Sequence, residues 1–143
     1  MYQDFVHPWE SRIAEAVRAE GVPIYTHTCG AIGDRLDLIE NTGVTGIECF
    51  DPPPLGPVEI EEARDKLGTR IFIKGNVDPV NTLLNGSAET VERAIRRILM
   101  AVCDGSAFIM SSACSIAPLT PPQNIELMIE LTRNAGLSAP LSK

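Results

Sequence analysis

Two periods alternate along this chain, and that alternation constrains its fold more than any other feature. Four short runs rich in Val, Ile and Phe stand out: VPIYTH (22–27), VTGIECF (44–50), RIFIKGNV (70–77) and AFIMSSAC (107–114). Each is followed by a stretch with apolar residues at helical spacing. Near-continuous apolar strands need helices on their faces, and parallel strands need a long crossover between them, so the pattern predicts α/β architecture with a parallel sheet. The second helix is expected from about Asp34 to Glu40, and the third from about Val58 to Leu67. The fourth follows an N-cap at Ser87, with Val91, Ile95, Ile98 and Val102 on one face. The last is expected to close at Gly136 and to open on TPPQ (120–123), whose form predicts a capping box with Pro121 at the first helical position. A first helix after Pro8 would carry Ile13, Ala14 and Val17 on one face and stop at Gly21. The DPPPLGP loop (51–57) cannot be helix or central strand, because its prolines lack N–H donors.

Four parallel βα units are half of an eight-stranded barrel. Left alone they would carry two unpaired edges and an apolar inner face. Three outcomes stay open: a fragment of a longer chain, two copies completing one another, or an open sheet covered by something else. The 143 residues suit one domain with its own core, and no repeat or linker divides them. With 44% hydrophobic residues the chain is expected to fold. A net charge of −7 speaks against nucleic acid or an anionic membrane surface as partner. The sequence holds no apolar run of about 18 residues, so no membrane span is expected. MYQDFVHPWE lacks the charged and apolar regions of a secretion signal, which makes a cytoplasmic location the expectation. Four cysteines in such a chain read as reduced thiols or metal ligands rather than as a disulfide framework.

The residues with chemistry to offer cluster at the C-terminal ends of the strands, where α/β sheets build their sites. In YTHTCGAIG (25–33), strand alternation sends His27 and Cys29 to one side. Cys114 ends the fourth run and Glu48 lies near the end of the second. If all strands run parallel, His27, Cys29, Glu48 and Cys114 share one rim, and two thiolates, an imidazole and a carboxylate suit tetrahedral zinc. Each has a plainer reading. His27 would be a hydrogen-bonded strand-end histidine, Cys29 and Cys114 small buried hydrophobes, and Glu48 a solvated rim charge. Cys49 alternates out of phase with Glu48 and is expected in the strand–helix core. Cys103 is expected on the inner side of the fourth helix, and His7 exposed in the leader. Asn76 and Asp78, in GNVDP (75–79), read as turn and cap chemistry. The serines of SSACS (111–115) lie in no G-x-S-x-G elbow.

HTCG (27–30), GNVDP (75–79) and TPPQNI (120–125) resemble the C-terminal half of the uroporphyrinogen decarboxylase family, and the likeness runs from DFVHP (4–8) to the last helix. The resemblance implies one partial domain, the C-terminal half of a TIM-type (β/α)8 barrel. The family includes decarboxylases and methyltransferases, and its zinc-dependent, corrinoid-using methyltransferases carry the His-x-Cys pair with a distant cysteine. His27, Cys29 and Cys114 take the place of those zinc ligands. Cobalamin-independent methionine synthase is similar in layout, with a glutamate ligand ending the next strand. Glu48 fits that position, at a shorter spacing from Cys29. The resemblance further implies catalytic roles for Glu48 and Asp78 and a cofactor-binding role for Asn76, although the Gly-Asn-x-Asp-Pro turn is shared by both branches. The family's N-terminal half supplies much of the substrate pocket and, in the decarboxylases, a catalytic aspartate; it has no counterpart here. ECFDPPP (48–54) also departs from the best-known members.

The implied activity is zinc-dependent methyl transfer. A zinc-bound substrate thiolate would accept a methyl group from a corrinoid such as methylcobalamin, or from a similar carrier or corrinoid protein. The expected assembly is a homodimer or association with the missing barrel half. The rival activity is uroporphyrinogen decarboxylation, whose substrate bears eight carboxylates and calls for arginines at the rim. Only Arg35, with Lys74 second, is placed for that; Arg12, Arg18, Arg64, Arg93, Arg96, Arg97 and Arg133 fall within predicted helices. A non-catalytic zinc- or corrinoid-binding chain is the third reading.

Overall fold

The computed structural model describes residues 1–102 and 107–136. Its elements run α1 (Tyr2–Phe5), α2 (His7–Ala19), β1 (Tyr25–Thr28), α3 (Leu36–Asn41), β2 (Gly46–Cys49), α4 (Ile60–Leu67) and β3 (Phe72–Val77). A π-helical turn (Pro79–Leu84), α5 (Ala88–Ala101), β4 (Phe108–Ser112) and α6 (Pro122–Asn134) follow. Among the described residues the strands form one parallel sheet in the order β1-β2-β3-β4. This is the expected run of βα units. No helix among the described residues is long and apolar enough to cross a membrane.

The sheet has two unlike faces. Ile47 and Ile73, partners in the β2–β3 register, are fully buried in one apolar cluster with Leu36, Ile60, Val91 and Ile95 of the helices. The neighbouring positions Glu48 and Lys74, also register partners, therefore project from the opposite, inner face. That face is less apolar than expected: a lane of His27, Glu48 and Lys74 crosses it, flanked by Tyr25, Phe72 and Ile109. Opposite charges on adjacent strands neutralise one another there.

Several boundaries moved for identifiable reasons. Pro23 has no N–H to give the ladder, so β1 starts at Tyr25 and runs on to Thr28. Strand β3 runs unbroken through Gly75–Asn76 to Val77, paired with Met110, Ser111 and Ser112. Gly75, at φ 145°, permits this: a Cβ there would lie 3.0 Å from the Cys49 carbonyl oxygen. Ser87 caps α5 as expected, its Oγ accepting from Thr90 N at 3.3 Å. The capping box at Thr120 does not form. Helix α6 begins at Pro122 with Pro121 at the cap position, so Thr120 stands one residue outside it, and its hydroxyl is buried without a hydrogen bond among the described residues. Asn124 makes the tie instead, donating Nδ2 to the carbonyls of Leu83 and Gly86 at 2.9 and 3.0 Å. On α2 only Ala14 of the expected face is buried; Ile13 stands 57% exposed.

Candidate metal centre

Thr28 ends β1, and Gly30 turns the chain at φ 77°. Between them Cys29 folds back beside His27, on the side alternation dictates, with its Sγ 3.3 Å from His27 Nε2. Across the β1–β2 ladder Glu48 stands opposite His27. Its Oε2 lies 3.1 Å from His27 Nδ1, and its Oε1 accepts from Lys74 Nζ. That lysine, first, and the His27 ring hold the Glu48 carboxyl below its ordinary value, although burial opposes them. An ionised carboxylate only accepts, so Nδ1 carries the imidazole proton and the Nε2 lone pair faces the sulfur.

Cys49 is where alternation fails. Its φ is 81° and that of Phe50 is 36°, so the chain leaves the sheet in a left-handed turn at Cys49 itself. The side chain is fully buried, and its Sγ stands 3.5 Å from that of Cys29 and 3.7 Å from Asp51 Oδ1. The expectation that Cys49 points into the strand–helix core is thereby corrected. Asp51 also accepts from Gly30 N at 2.7 Å through Oδ2, which ties the β1 turn to the β2 turn. Gly56 lets the proline loop close on both: a Cβ there would meet the Asp51 and Gly30 carbonyl oxygens at 2.1 and 2.9 Å. Cys114, just beyond β4, completes the group. The Nε2 or Nδ1 of His27 and the sulfurs of Cys29, Cys49 and Cys114 all lie within 4.8 Å of one another.

Burial, followed by the neighbouring Cys29, Asp51 and Cys114, pushes the Cys49 thiol far up. At Cys29 the hydrogen bond with Cys49 pulls downward, but burial, Cys114 and Asp51 outweigh it and the thiol is raised. The Cys29 and Cys49 thiols, this close to one another and to a carboxylate, cannot ionise together without a cation beside them. Deprotonated sulfur and neutral imidazole are the donors zinc prefers, and metal binding reverses the upward push. The residues present fit zinc.

Among the residues expected at a site, His27, Cys29 and Cys114 come together. Glu48 lies on the far edge of the imidazole, held by Lys74 and His27. Asn76 is buried and donates Nδ2 to the Phe50 carbonyl at 3.4 Å. Asp78 caps the π-helical turn: Oδ1 accepts from Val80 N and Asn81 N, both at 2.8 Å, and Oδ2 from Asn81 Nδ2 at 2.7 Å. Asn76 and Asp78 line a separate cleft of about 380 Å³ with Pro52, Pro53 and Arg97. Arg35 gives its Nε to Asp34. The expectation for Cys103 lies outside the described residues.

The fold and this cluster define an α/β-barrel-type chain with a candidate metal centre at the C-terminal ends of its strands. The sequence pattern described as uroporphyrinogen decarboxylase (URO-D) matches residues 1–135. The chain belongs to the uroporphyrinogen decarboxylase family. It is 32% identical over 133 residues to the methylcobamide:CoM methyltransferase MtbA of Methanosarcina acetivorans, a match covering 93% of this chain and 36% of that protein. It is 30% identical over 131 residues to the uroporphyrinogen decarboxylase of Syntrophotalea carbinolica, covering 90% of this chain and 35% of that protein. In structure it resembles a methyltransferase from Methanosarcina mazei with a TM-score of 0.78 at 21% identity, over 93% of this chain and 36% of that one. The chain thus spans about a third of the length of the relatives it matches.

Proposed function

We propose that this chain carries the zinc-binding, thiol-activating portion of a methyltransferase, which prepares a small-molecule thiol to accept a methyl group from a corrinoid or similar carrier. The observation that carries the reading is the convergence of His27, Cys29, Cys49 and Cys114 within 4.8 Å at one end of the parallel sheet. Zinc held there supplies a Lewis acid that keeps a bound thiol ionised and nucleophilic at neutral pH. The names of the MtbA relatives give a methylcobamide and CoM as donor and acceptor, and a methyl-corrinoid with a small thiol is the corresponding pair here.

The chain's own residues have definable tasks. His27 is 51% exposed and Cys29 is exposed, so both stand at the mouth of the centre, where a thiol approaches. Glu48 holds the Nδ1 proton and keeps Nε2 free as a donor. Lys74 balances the charge of Glu48 on the inner face. Asp51 pins the turn that presents Cys29. The rest of the pocket is assigned to the remaining strands of a full barrel or to a second copy. Decarboxylation is less well supported by the arginines: Arg70, Arg96 and Arg97 pair with Glu40, Glu92 and Glu59, on the helices or beside their ends.

Zinc-loaded protein mixed with methylcobalamin and a small thiol is expected to demethylate the corrinoid faster than the thiol alone. The change is followed by visible absorbance and is expected to disappear in Cys29→Ala. A rate equal to that of the free thiol overturns the reading.

A further inference from the structure

We infer that Cys49 supplies a third thiolate to the metal, and that Glu48 is a positioning residue that acts through His27. This rests on the metal-centre reading above and deepens it.

The spacing of the donors carries the first half. Zn–S bonds of about 2.3 Å and a Zn–N bond of about 2.05 Å in a tetrahedron place two sulfurs about 3.8 Å apart and sulfur and nitrogen about 3.6 Å apart. Cys29 Sγ stands 3.5 Å from Cys49 Sγ and 3.3 Å from His27 Nε2. These are tetrahedral edges drawn in by only a few tenths of an ångström. The backbone supports the same assignment. Two consecutive non-glycine residues, Cys49 and Phe50, adopt positive φ, a conformation that persists only where the surroundings fix it. Here it carries the Cys49 sulfur to the cluster. Gly75, without a side chain, leaves room for the Cys49 carbonyl in this turn: a Cβ there would lie 3.0 Å from its oxygen.

The second half follows from the shape of an imidazole. Its two nitrogens point to different edges of the ring, and Glu48 holds Nδ1 while the Cys29 sulfur lies 3.3 Å from Nε2. A carboxylate on the Nδ1 edge is not beside an ion on the Nε2 edge. Its other oxygen is engaged by Lys74. Three thiolates and one neutral imidazole then leave a divalent ion with one net negative charge and no carboxylate to give way. An incoming thiol must displace a protein donor, and exposed His27 and Cys29 stand nearer solvent than buried Cys49.

Cobalt(II), which reports thiolate ligands by near-ultraviolet charge transfer and geometry by its visible bands, tests this in the whole chain. Wild-type protein is expected to show charge transfer from three thiolates, and Cys49→Ser to lose about a third of it. Glu48→Gln is expected to keep both the charge transfer and the visible envelope while binding cobalt about 10–100-fold more weakly. Full charge transfer in Cys49→Ser overturns the inference, and so does a shifted visible envelope in Glu48→Gln, which needs no change at the buried cysteine. Absence of charge transfer in the wild type overturns the metal centre itself, a distinct failure.

Discussion

Cys114→Ala is expected to weaken zinc binding by at least about 100-fold, measured by competition with a chelator of known affinity. Structural zinc in small sites is worth about 10–16 kcal/mol, which shared over four donors is roughly 3 kcal/mol each, or about two powers of ten in affinity. The cost is not recovered locally. Cys114 is the member of the cluster from the β4 side, whereas the others come from β1 and β2, so losing it leaves the cluster open on one flank. Binding in both proteins is expected to tighten as pH rises. Burial and neighbouring thiols hold Cys49 and Cys29 protonated, and the metal must displace those protons. Below the thiol pKa values each displaced proton gives up to about tenfold tighter binding per pH unit. Equal affinities would remove Cys114 from the centre.

Ile73→Ala is expected to destabilise the fold by about 2–5 kcal/mol in urea titrations. Ile73 is fully buried near the start of β3, paired with Ile47 and Phe108 and packed in the apolar cluster with the helices. Truncating it leaves a cavity on the face where the sheet meets the helices. The control is Ile109→Ala on the adjacent strand. Ile109 pairs with Lys74 on the inner face and is 49% exposed, so the same deletion of methyl groups is expected to cost less than about 1 kcal/mol. The contrast tests the assignment of the two faces, on which the position of the metal centre depends. If Ile109→Ala costs as much as Ile73→Ala, the inner face is packed against something, and the open half of the sheet is not open in solution.

Much of this was legible in the residues. The alternation of apolar runs with helical periodicity predicts the parallel βα units, since buried strands and amphipathic helices leave different marks in a sequence. His27 and Cys29 were readable as a pair because period-two alternation holds as far as the end of β1. Cys49 was not, for the same rule breaks where the backbone turns left-handed, and non-glycine residues give no composition signal for positive φ. The proline run from Pro52 says that the strand must end but not which way the last side chain turns. Glu48 was legible as a rim carboxylate. Its engagement by Lys74 depends on the β2–β3 register, which a sequence does not display. Thr120 misled because the helix starts one residue later than its pattern implies, with Pro121 rather than Thr120 at the cap position.

X-ray absorption at the zinc edge of the metal-loaded chain is the most direct measurement. Convergence of three strand ends on one ion predicts a first coordination sphere dominated by sulfur at about 2.3 Å with one nitrogen near about 2.05 Å. A sphere of oxygen and nitrogen alone, or protein that retains no zinc after dialysis, would contradict it.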